Sequence, residues 1–236
     1  GWDWDSNQGF EAGGYTSSYQ GWMWKRGKGF DVVTWEGTNS SVVRKHNLGT
    51  TPEMIWYKNR DDTRNWKVYH KGLNGGTNPE DYVLDLNQSI AESSNTSYMT
   101  GTAPTSLTFV SGNDGDTNGA GDSYIAMLFA SANDAEGNPI SKVGSYSGSS
   151  SSVTVTTGFQ PRFVLIKRAT GIGQWTMFDT TRGWTAGNDQ MLELSDTGAQ
   201  SNSFDYGEPT ATGFTITTGQ SATNNNGDTY LYYAHA

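Results

Sequence analysis

Apolar and polar residues alternate along most of the chain in short stretches, a period of two that is typical of half-buried β-strands. Alternating stretches and short apolar runs together predict strands in the first half at residues 30–35, 54–57, 66–70, 82–86, 107–110 and 124–129. Within residues 66–70, the pattern puts Val68 and His70 on one strand face with Trp66, and Lys67 and Tyr69 on the other. Turn residues separate the stretches, and no long amphipathic helix is predicted.

The pattern occurs twice. Pro52, Lys58 and Trp66 each have an identical residue 109 positions later (161 − 52 = 109). The offset then falls steadily, to 107 for the pair of Leu107 and Phe214 and to 106 for Gly121 and Gly227. Ordered landmarks with slowly changing spacing indicate an internal duplication in which the copies differ by small loop deletions.

About six or seven short strands in roughly 100 residues, given twice, predict an all-β fold of two tandem β-sandwich, jelly-roll-like domains. The expected boundaries are a Trp-rich N-terminal segment at 1–28, repeat 1 at 29–131, a linker at 132–140 and repeat 2 at 141–236. In the N-terminal segment, residues 1–5 and 21–26 alternate as strands do, and their tryptophans are expected to pack rather than to bind a ligand.

Composition narrows the function classes. Hydrophobic residues make up only 33% of the chain, but the 13% of aromatic residues argues against disorder. A net charge of −9 and a pI near 4.7 disfavour nucleic acid and anionic bilayers as partners. The chain has no cysteine, so thiol chemistry and disulfides are excluded.

The chain contains no apolar run of about 20 residues, so membrane insertion is not expected. It opens with Gly1 rather than with a basic and apolar leader. We therefore expect a fragment or a processed product of something longer.

One stretch matches a calcium loop in part. Asp114, Asp116, Asn118 and Asp122 stand at loop positions 1, 3, 5 and 9, with Gly119 at position 6. The glutamate expected at position 12 is missing, and in repeat 2 only Asn224, Gly227 and Asp228 persist. A structural turn is therefore favoured over calcium, and no cofactor is expected.

The loop at 180–189 differs most usefully between the repeats. It carries Arg182, Trp184, Asn188 and Asp189, a set in which an aromatic face could stack on a sugar ring while polar groups bond its hydroxyls. These four residues are the candidate ligand-binding site, although packing of Trp184 is an equally good interpretation. Trp56 and Trp66 are expected in a core or an interface.

Catalytic residues are not predicted. His46, His70 and His235 are scattered without a metal-binding spacing, and a serine nucleophile elbow is absent. A pair of carboxylates could serve a glycosidase, but the acids mostly stand in turn-like stretches where solvation explains them. The chain is therefore expected not to be an enzyme.

Three motifs carry a resemblance. They are Asn-Leu-Gly followed by Pro-Glu-Met-Ile and Lys within 47–58, Trp-Lys-Val-Tyr-His-Lys-Gly-Leu at 66–73, and Asn-Gly-Ala-Gly-Asp-Ser-Tyr-Ile-Ala at 118–126. With these motifs, residues 24–236 resemble a duplicated β-rich module of tail-fibre-like proteins from marine tailed bacteriophages, including those that infect cyanobacteria. The second copy departs from the motifs by losing the histidines.

The resemblance implies a virion tail appendage, a fibre or spike assembled in the host bacterial cytoplasm. It implies a homotrimer that contacts other virion proteins and attaches to a host cell-surface glycan or protein receptor. Three alternatives remain open: a capsid or neck decoration protein, a surface-glycan depolymerase, and a secreted lectin unconnected with a virus.

Overall fold

The computed structural model describes residues 2–3, 11–12 and 21–236 of the chain. Within these ranges the fold is all-β, as predicted. Its helical parts are one short α-helix, α1 at Gly115–Asn118, and 3₁₀ turns at Leu73–Gly76 and Pro79–Asp81. The strands in chain order are β1 Trp2–Asp3, β2 Glu11–Ala12, β3 Phe30–Glu36, β4 Val42–Lys45, β5 Met54–Asn59, β6 Lys67–His70, β7 Tyr82–Asp85, β8 Ser93–Ser94, β9 Thr108–Ser111, β10 Ser123–Phe129, β11 Ala132–Asn133, β12 Pro139–Ser147, β13 Val153–Thr156, β14 Phe163–Arg168, β15 Trp175–Asp179, β16 Leu192–Glu193, β17 Pro209–Thr210, β18 Gly213–Ile216 and β19 Thr229–His235.

Two six-stranded sheets organise the molecule. The first sheet has the order β3-β10-β5-β6-β7-β8, and the second has the order β11-β12-β19-β14-β15-β16. Two smaller sheets accompany them, β4-β9 and β13-β18-β17, and β1 pairs with β2. All these strand pairs are antiparallel, so hairpins and longer crossovers suffice to connect them.

The large sheets share a run of strand order: β3-β10-β5-β6-β7 in the first corresponds in sequence position to β12-β19-β14-β15-β16 in the second. The small sheets correspond through β4-β9 and β13-β18. Phe109 is the second residue of β9 and pairs with Arg44 of β4. Phe214 is likewise the second residue of β18 and pairs with Val155 of β13. Phe214 therefore takes the ladder position of the buried Phe109, not that of the exposed Leu107 with which the sequence pairs it.

Each large sheet buries both faces. On one face the first sheet packs on β4-β9 through an aromatic cluster, and the second packs similarly on its own small sheet. On the other face the two large sheets pack against each other. This shared core contains Trp56, Val68 and Leu84 from the first sheet and Leu165 and Trp175 from the second, with others. The order of layers is therefore small sheet, large sheet, large sheet, small sheet.

The segment predicted as a linker, 132–140, is part of a β-hairpin. β11 pairs with the start of β12, and both belong to the second sheet. Trp56 lies in the shared core and the half-buried Trp66 packs against it, which confirms their expected place in a core or an interface. The alternation at 66–70 is also confirmed, because Val68 faces the shared core whereas Tyr69 belongs to the cluster on the opposite face.

Residues 21–25 form no strand, so the strand predicted there is wrong, but the tryptophans do pack. Trp24 meets Trp56 and Phe129 of the first sheet edge-on, with ring centroids 6.5 and 5.8 Å away. It also meets Phe163 of the second sheet at 5.8 Å. Trp24 thus covers the rim of the shared core. The tryptophan-rich stretch predicted at residues 1–5 has only Trp2–Asp3 within the described residues.

Candidate functional site

The predicted binding loop connects β15 to β16. It leaves the buried strand at Asp179 and returns at Leu192. Arg182, Trp184, Asn188 and Asp189 all lie in it, yet the loop folds back onto the core instead of projecting from it. Because of this, the side chains of Arg182, Trp184 and Asp189 are almost completely buried.

Trp184 is completely buried. Its indole stacks on Phe178 at 5.7 Å and meets Phe214 at 6.1 Å, so it fills the core between the second sheet and β18. The expectation that Trp184 offers its face to a sugar is wrong. The large apolar area of the indole stabilises the fold more when it is removed from water.

Arg182 has its guanidinium committed to Asp179. The ion pair is close, and both side chains are only 7% exposed. Arg182 also donates hydrogen bonds to the carbonyl of Met177 and to the amide oxygen of Gln200. The arginine therefore ties the start of the loop and the end of β15 to Gln200, which lies beyond β16, as a structural clamp.

Asp189 is fully buried, and one of its oxygens, Oδ2, accepts a hydrogen bond of 2.7 Å from the amide of Tyr206. The other, Oδ1, has no partner among the described residues. Burial raises the pKa of Asp189 to about 6. Asn188 alone of the four is exposed. The predicted set does not form one ligand surface.

The loop instead forms the floor of two adjacent clefts. The first has a volume of about 390 Å³ and is lined by Trp22, Trp24, Arg162, Phe163, Asp179, Thr181 and His235, with neighbouring backbone. The second has about 370 Å³, and its lining includes Trp184, Thr185 and Ala186 of the loop together with Glu208. Trp184 contributes no exposed side-chain face to it, because the residue is 0% exposed. Arg162 lines both clefts, so its guanidinium stands at their junction.

The first cleft combines an aromatic wall with polar groups. Trp22 is half-buried, and it meets Phe163 edge-on at 6.1 Å. The guanidinium of Arg182 lies 5.6 Å from the centre of the Trp22 ring, a cation–π contact that fixes the indole. Arg162 is exposed and donates one 3.5 Å hydrogen bond to the Thr181 hydroxyl, but it forms no ion pair within the described part of the chain.

A fixed indole beside an uncommitted guanidinium and a hydroxyl suits a polar ligand that has both apolar faces and oxygen acceptors. The sequence does not predict this cleft, because its walls come from four distant segments around residues 22, 162, 180 and 235. The sequence feature that pointed to this place is the pair Trp22 and Trp24, because two large apolar side chains close together are expected to pack against another part of the protein.

The calcium-loop residues are held apart by separate contacts. Asp114 caps α1 by accepting a 2.8 Å bond from the amide of Asp116. Asp116 faces Lys67, Asn118 bonds Thr38, Ser40 and Arg44, and Asp122 accepts from Asn59 at 2.8 Å. Over the residues that the structure describes, no group of three or more His, Cys, Asp or Glu is placed to hold a metal ion. No helix in this part of the chain is long and apolar enough to cross a membrane.

The sheet order and the clefts define the class: an all-β protein with a shallow polar and aromatic cleft at the rim of its central core. A family model matches residues 2–236, and the chain belongs to that family, a domain of unknown function designated DUF7483. No curated protein and no solved structure matches the chain.

Proposed function

We propose that the chain is a non-enzymatic module of a bacteriophage virion appendage, a tail fibre or spike, which assembles as a homotrimer and attaches to a host cell-surface glycan. The observation that carries the binding role is the cleft at Arg162. It is lined by a fixed indole, by a guanidinium that forms no ion pair within the described residues, and by the Thr181 hydroxyl. The resemblance in sequence to tail-fibre-like modules supports the setting on a virion.

The chemistry of the cleft favours a carbohydrate. Sugar rings have apolar faces that pack on an indole, and their hydroxyls and carboxylates accept hydrogen bonds from a guanidinium. Arg182 keeps Trp22 in place, so little side-chain entropy is lost when a ligand binds. With a net charge of −9, the chain also disfavours partners whose binding depends on broad anionic surfaces.

Removing the guanidinium tests the proposed site. We expect Arg162→Ala to weaken binding to purified capsular polysaccharide or lipopolysaccharide of a marine bacterial host by about tenfold, the equivalent of one lost charge-assisted hydrogen bond. Trp22→Ala is expected to weaken binding similarly. Binding is measured by biolayer interferometry with immobilised polysaccharide.

The matched control is Arg60→Ala, which removes an exposed arginine from the β5–β6 loop, away from the cleft. It should bind as the parent chain does. Equal binding by the parent, Arg162→Ala and Trp22→Ala would show that the glycan contacts another surface. If the parent chain binds no polysaccharide from a host to which it adsorbs, a protein receptor is indicated instead.

We also infer that the two halves are tandem β-sandwiches that arose by duplication. A tyrosine clamp supports this inference. The Tyr124 hydroxyl accepts from the amide of Gly119 and donates to the carbonyl of Gly115, both at 2.8 Å. The Tyr230 hydroxyl makes the same two bonds, at the same lengths, with Asn225 and Ser221.

A buried asparagine supports the same inference. Asn118, in the segment before β10, accepts a bond from the backbone amide of Thr38 after β3, and Asn224, in the segment before β19, accepts one from the backbone amide of Ser149 after β12. Beside them, a Cβ on Gly37 would lie 1.8 Å from the Gly119 oxygen, and one on Gly148 would lie 2.1 Å from the Asn225 oxygen. Paired glycines at equally close approaches are expected of two copies of one unit.

A further inference from the structure

The first repeat contains a lysine between two carboxylates at one end of its sandwich. Lys67 Nζ lies 2.9 Å from Asp85 Oδ1 and 3.1 Å from Asp116 Oδ2. The three side chains are only 11%, 7% and 18% exposed, respectively. We propose that Lys67 and Asp85 become joined by an intramolecular isopeptide bond, with Asp116 as the group that moves the protons.

The position of the pair suits such a bond. Lys67 and Asp85 are direct cross-strand partners on β6 and β7, so their side chains start from neighbouring backbone positions on the same face. That face is the interior of the first sandwich: Tyr57, the partner of Lys67 on β5, and Tyr69, two residues on, both belong to its aromatic cluster. Helix α1, which carries Asp116, packs against β5 and closes the end of the sandwich.

The contact between Lys67 and Asp85 is close but is not a well-aligned hydrogen bond. Asp85 Oδ1 is buried and accepts no hydrogen bond of acceptable geometry, although Nζ is 2.9 Å away. The other oxygen, Oδ2, accepts a 3.2 Å hydrogen bond from the side-chain amide of Asn65, and this bond polarises the carboxyl group. The amine is therefore held close to the carboxyl group of Asp85. Because no well-aligned hydrogen bond joins them, none has to be broken before the amine reacts.

The reaction balances without a co-reactant. Burial alone would lower the pKa of Lys67, but the two carboxylates outweigh burial and raise it, so the ion pair is the starting state. Lys67 first passes a proton to Asp116, which passes it to a carboxyl oxygen of Asp85. The neutral amine attacks Cγ of Asp85, the C–N bond forms, and the C–O bond breaks. Asp116 accepts the second amine proton and delivers it to the leaving hydroxyl group, so one water is released.

Charge is conserved around the product. Before reaction, two cations, Lys67 and Arg64, balance the two carboxylates of Asp85 and Asp116. Arg64 lies 3.7 Å from Asp116. Afterwards, the uncharged amide replaces one ion pair, and Arg64 remains the counter-ion of Asp116. A buried ion pair is thereby exchanged for a neutral group, which removes a desolvation cost.

Repeat 2 lacks the chemistry at the same positions. The strand partners that correspond to Lys67 and Asp85 are Thr176 and Glu193. The residue that corresponds to Asp116 is Ala222 (222 − 116 = 106). One link, in repeat 1 only, is therefore expected.

Intact-mass spectrometry of the purified chain tests the proposal. The parent chain is expected to weigh one water, about 18 Da, less than its sequence mass. Trypsin should then fail to cleave after Lys67, and tandem spectra should show a branched peptide that joins residues 65–71 to the fragment containing Asp85. Lys67→Arg and Asp116→Asn, checked for folding by circular dichroism, should each weigh their full sequence mass.

Lys58→Arg is the matched control, because Lys58 is a lysine on the neighbouring strand whose Nζ bonds the carbonyls of Asp62 and Arg64. It should keep the mass loss. A full sequence mass for the parent chain after prolonged incubation at 37 °C overturns the proposal. A water loss that persists in Lys67→Arg also overturns it, because it would mark a succinimide at Asp114-Gly115 instead.

Discussion

Trp184 packs its indole against Phe178 and Phe214 and has no exposed surface. Replacement by alanine would leave a cavity between the second large sheet and β18, and the large apolar area of the indole would no longer be buried. We expect Trp184→Ala to lower the free energy of unfolding by about 3–5 kcal/mol. Urea denaturation followed by circular dichroism measures this loss.

Asn188, in the same loop, is exposed and provides the comparison. Asn188→Ala should change the free energy of unfolding by no more than about 0.5 kcal/mol. If Trp184→Ala were as stable as Asn188→Ala, the indole would not be part of the core. The two variants thus separate a packing role from a surface role within one loop.

The difference between these residues could not be predicted from the sequence. Arg, Trp, Asn and Asp in a Gly-containing loop are typical both of a ligand site and of a loop that folds inward. Whether Trp184 is buried or exposed depends on Phe214, which lies on a strand 30 residues further along the chain (214 − 184 = 30). Only the tertiary fold brings the apolar surface of Phe214 to the indole.

At the scale of elements, the tyrosine clamps fix the loops that precede β10 and β19. Each hydroxyl makes two 2.8 Å bonds to loop backbone, and Tyr124 and Tyr230 are both fully buried. Tyr124→Phe would leave a backbone donor and a backbone acceptor without their partner, and the side-chain amide of Asn59 would lose the 3.0 Å bond that it donates to the hydroxyl. We expect it to cost about 1–3 kcal/mol of unfolding free energy, and Tyr230→Phe to cost a similar amount.

Tyr82→Phe serves as the control, because the Tyr82 hydroxyl makes no side-chain hydrogen bond within the described residues. It should unfold at nearly the parent denaturant concentration. The measurement is the midpoint of chemical unfolding for all three variants. A large effect at Tyr124 with none at Tyr230 would contradict the equivalence of the two clamps.

Most strands were predictable, because period-two alternation with Gly and Asn turns has one physical interpretation. The offset also indicated which strands take the same place in the order of the two large sheets. Residue-level pairing was less secure: Leu107 and Phe214 are both apolar, but only the ladder of β9 with β4 shows that Phe109 holds the inward position. A shift of two residues preserves the alternation, so the pattern cannot detect it.

At the scale of the whole molecule, the main feature is the shared core between the two large sheets. Two sandwiches joined by a linker would each have left one face of the large sheet in water. Here, β5 and β14 are buried along nearly their whole length. Continuous apolar runs such as Met54 to Tyr57 were the available signal, since strands buried on both faces lose their alternation.

His70 lies inside this contact and should make it sensitive to acid. Its ring is fully buried, with Nδ1 accepting a 3.0 Å bond from the amide of Gly72 and Nε2 3.4 Å from the carbonyl of Tyr232 on the second sheet. Burial lowers the pKa of His70 from 6.5 to about 4, and the positive charge of Lys71 also lowers it, against the opposing effects of the Tyr232 carbonyl and Glu53. The folded state therefore favours the neutral imidazole.

The direction of the pH effect follows from linkage. Between about pH 4 and 6.5 the unfolded chain binds a proton at His70 that the folded chain does not, so stability falls as the pH is lowered through this window. The contribution of neutral His70 to the free energy of unfolding is fully present above pH 6.5, and at pH 4 about 3 kcal/mol of it has been lost.

His70→Gln, which cannot be protonated, should remove this part of the dependence of the unfolding free energy on pH. The measurement is urea unfolding at several pH values. Equal slopes for the parent and His70→Gln would show that protonation of His70 does not loosen the contact between the sheets.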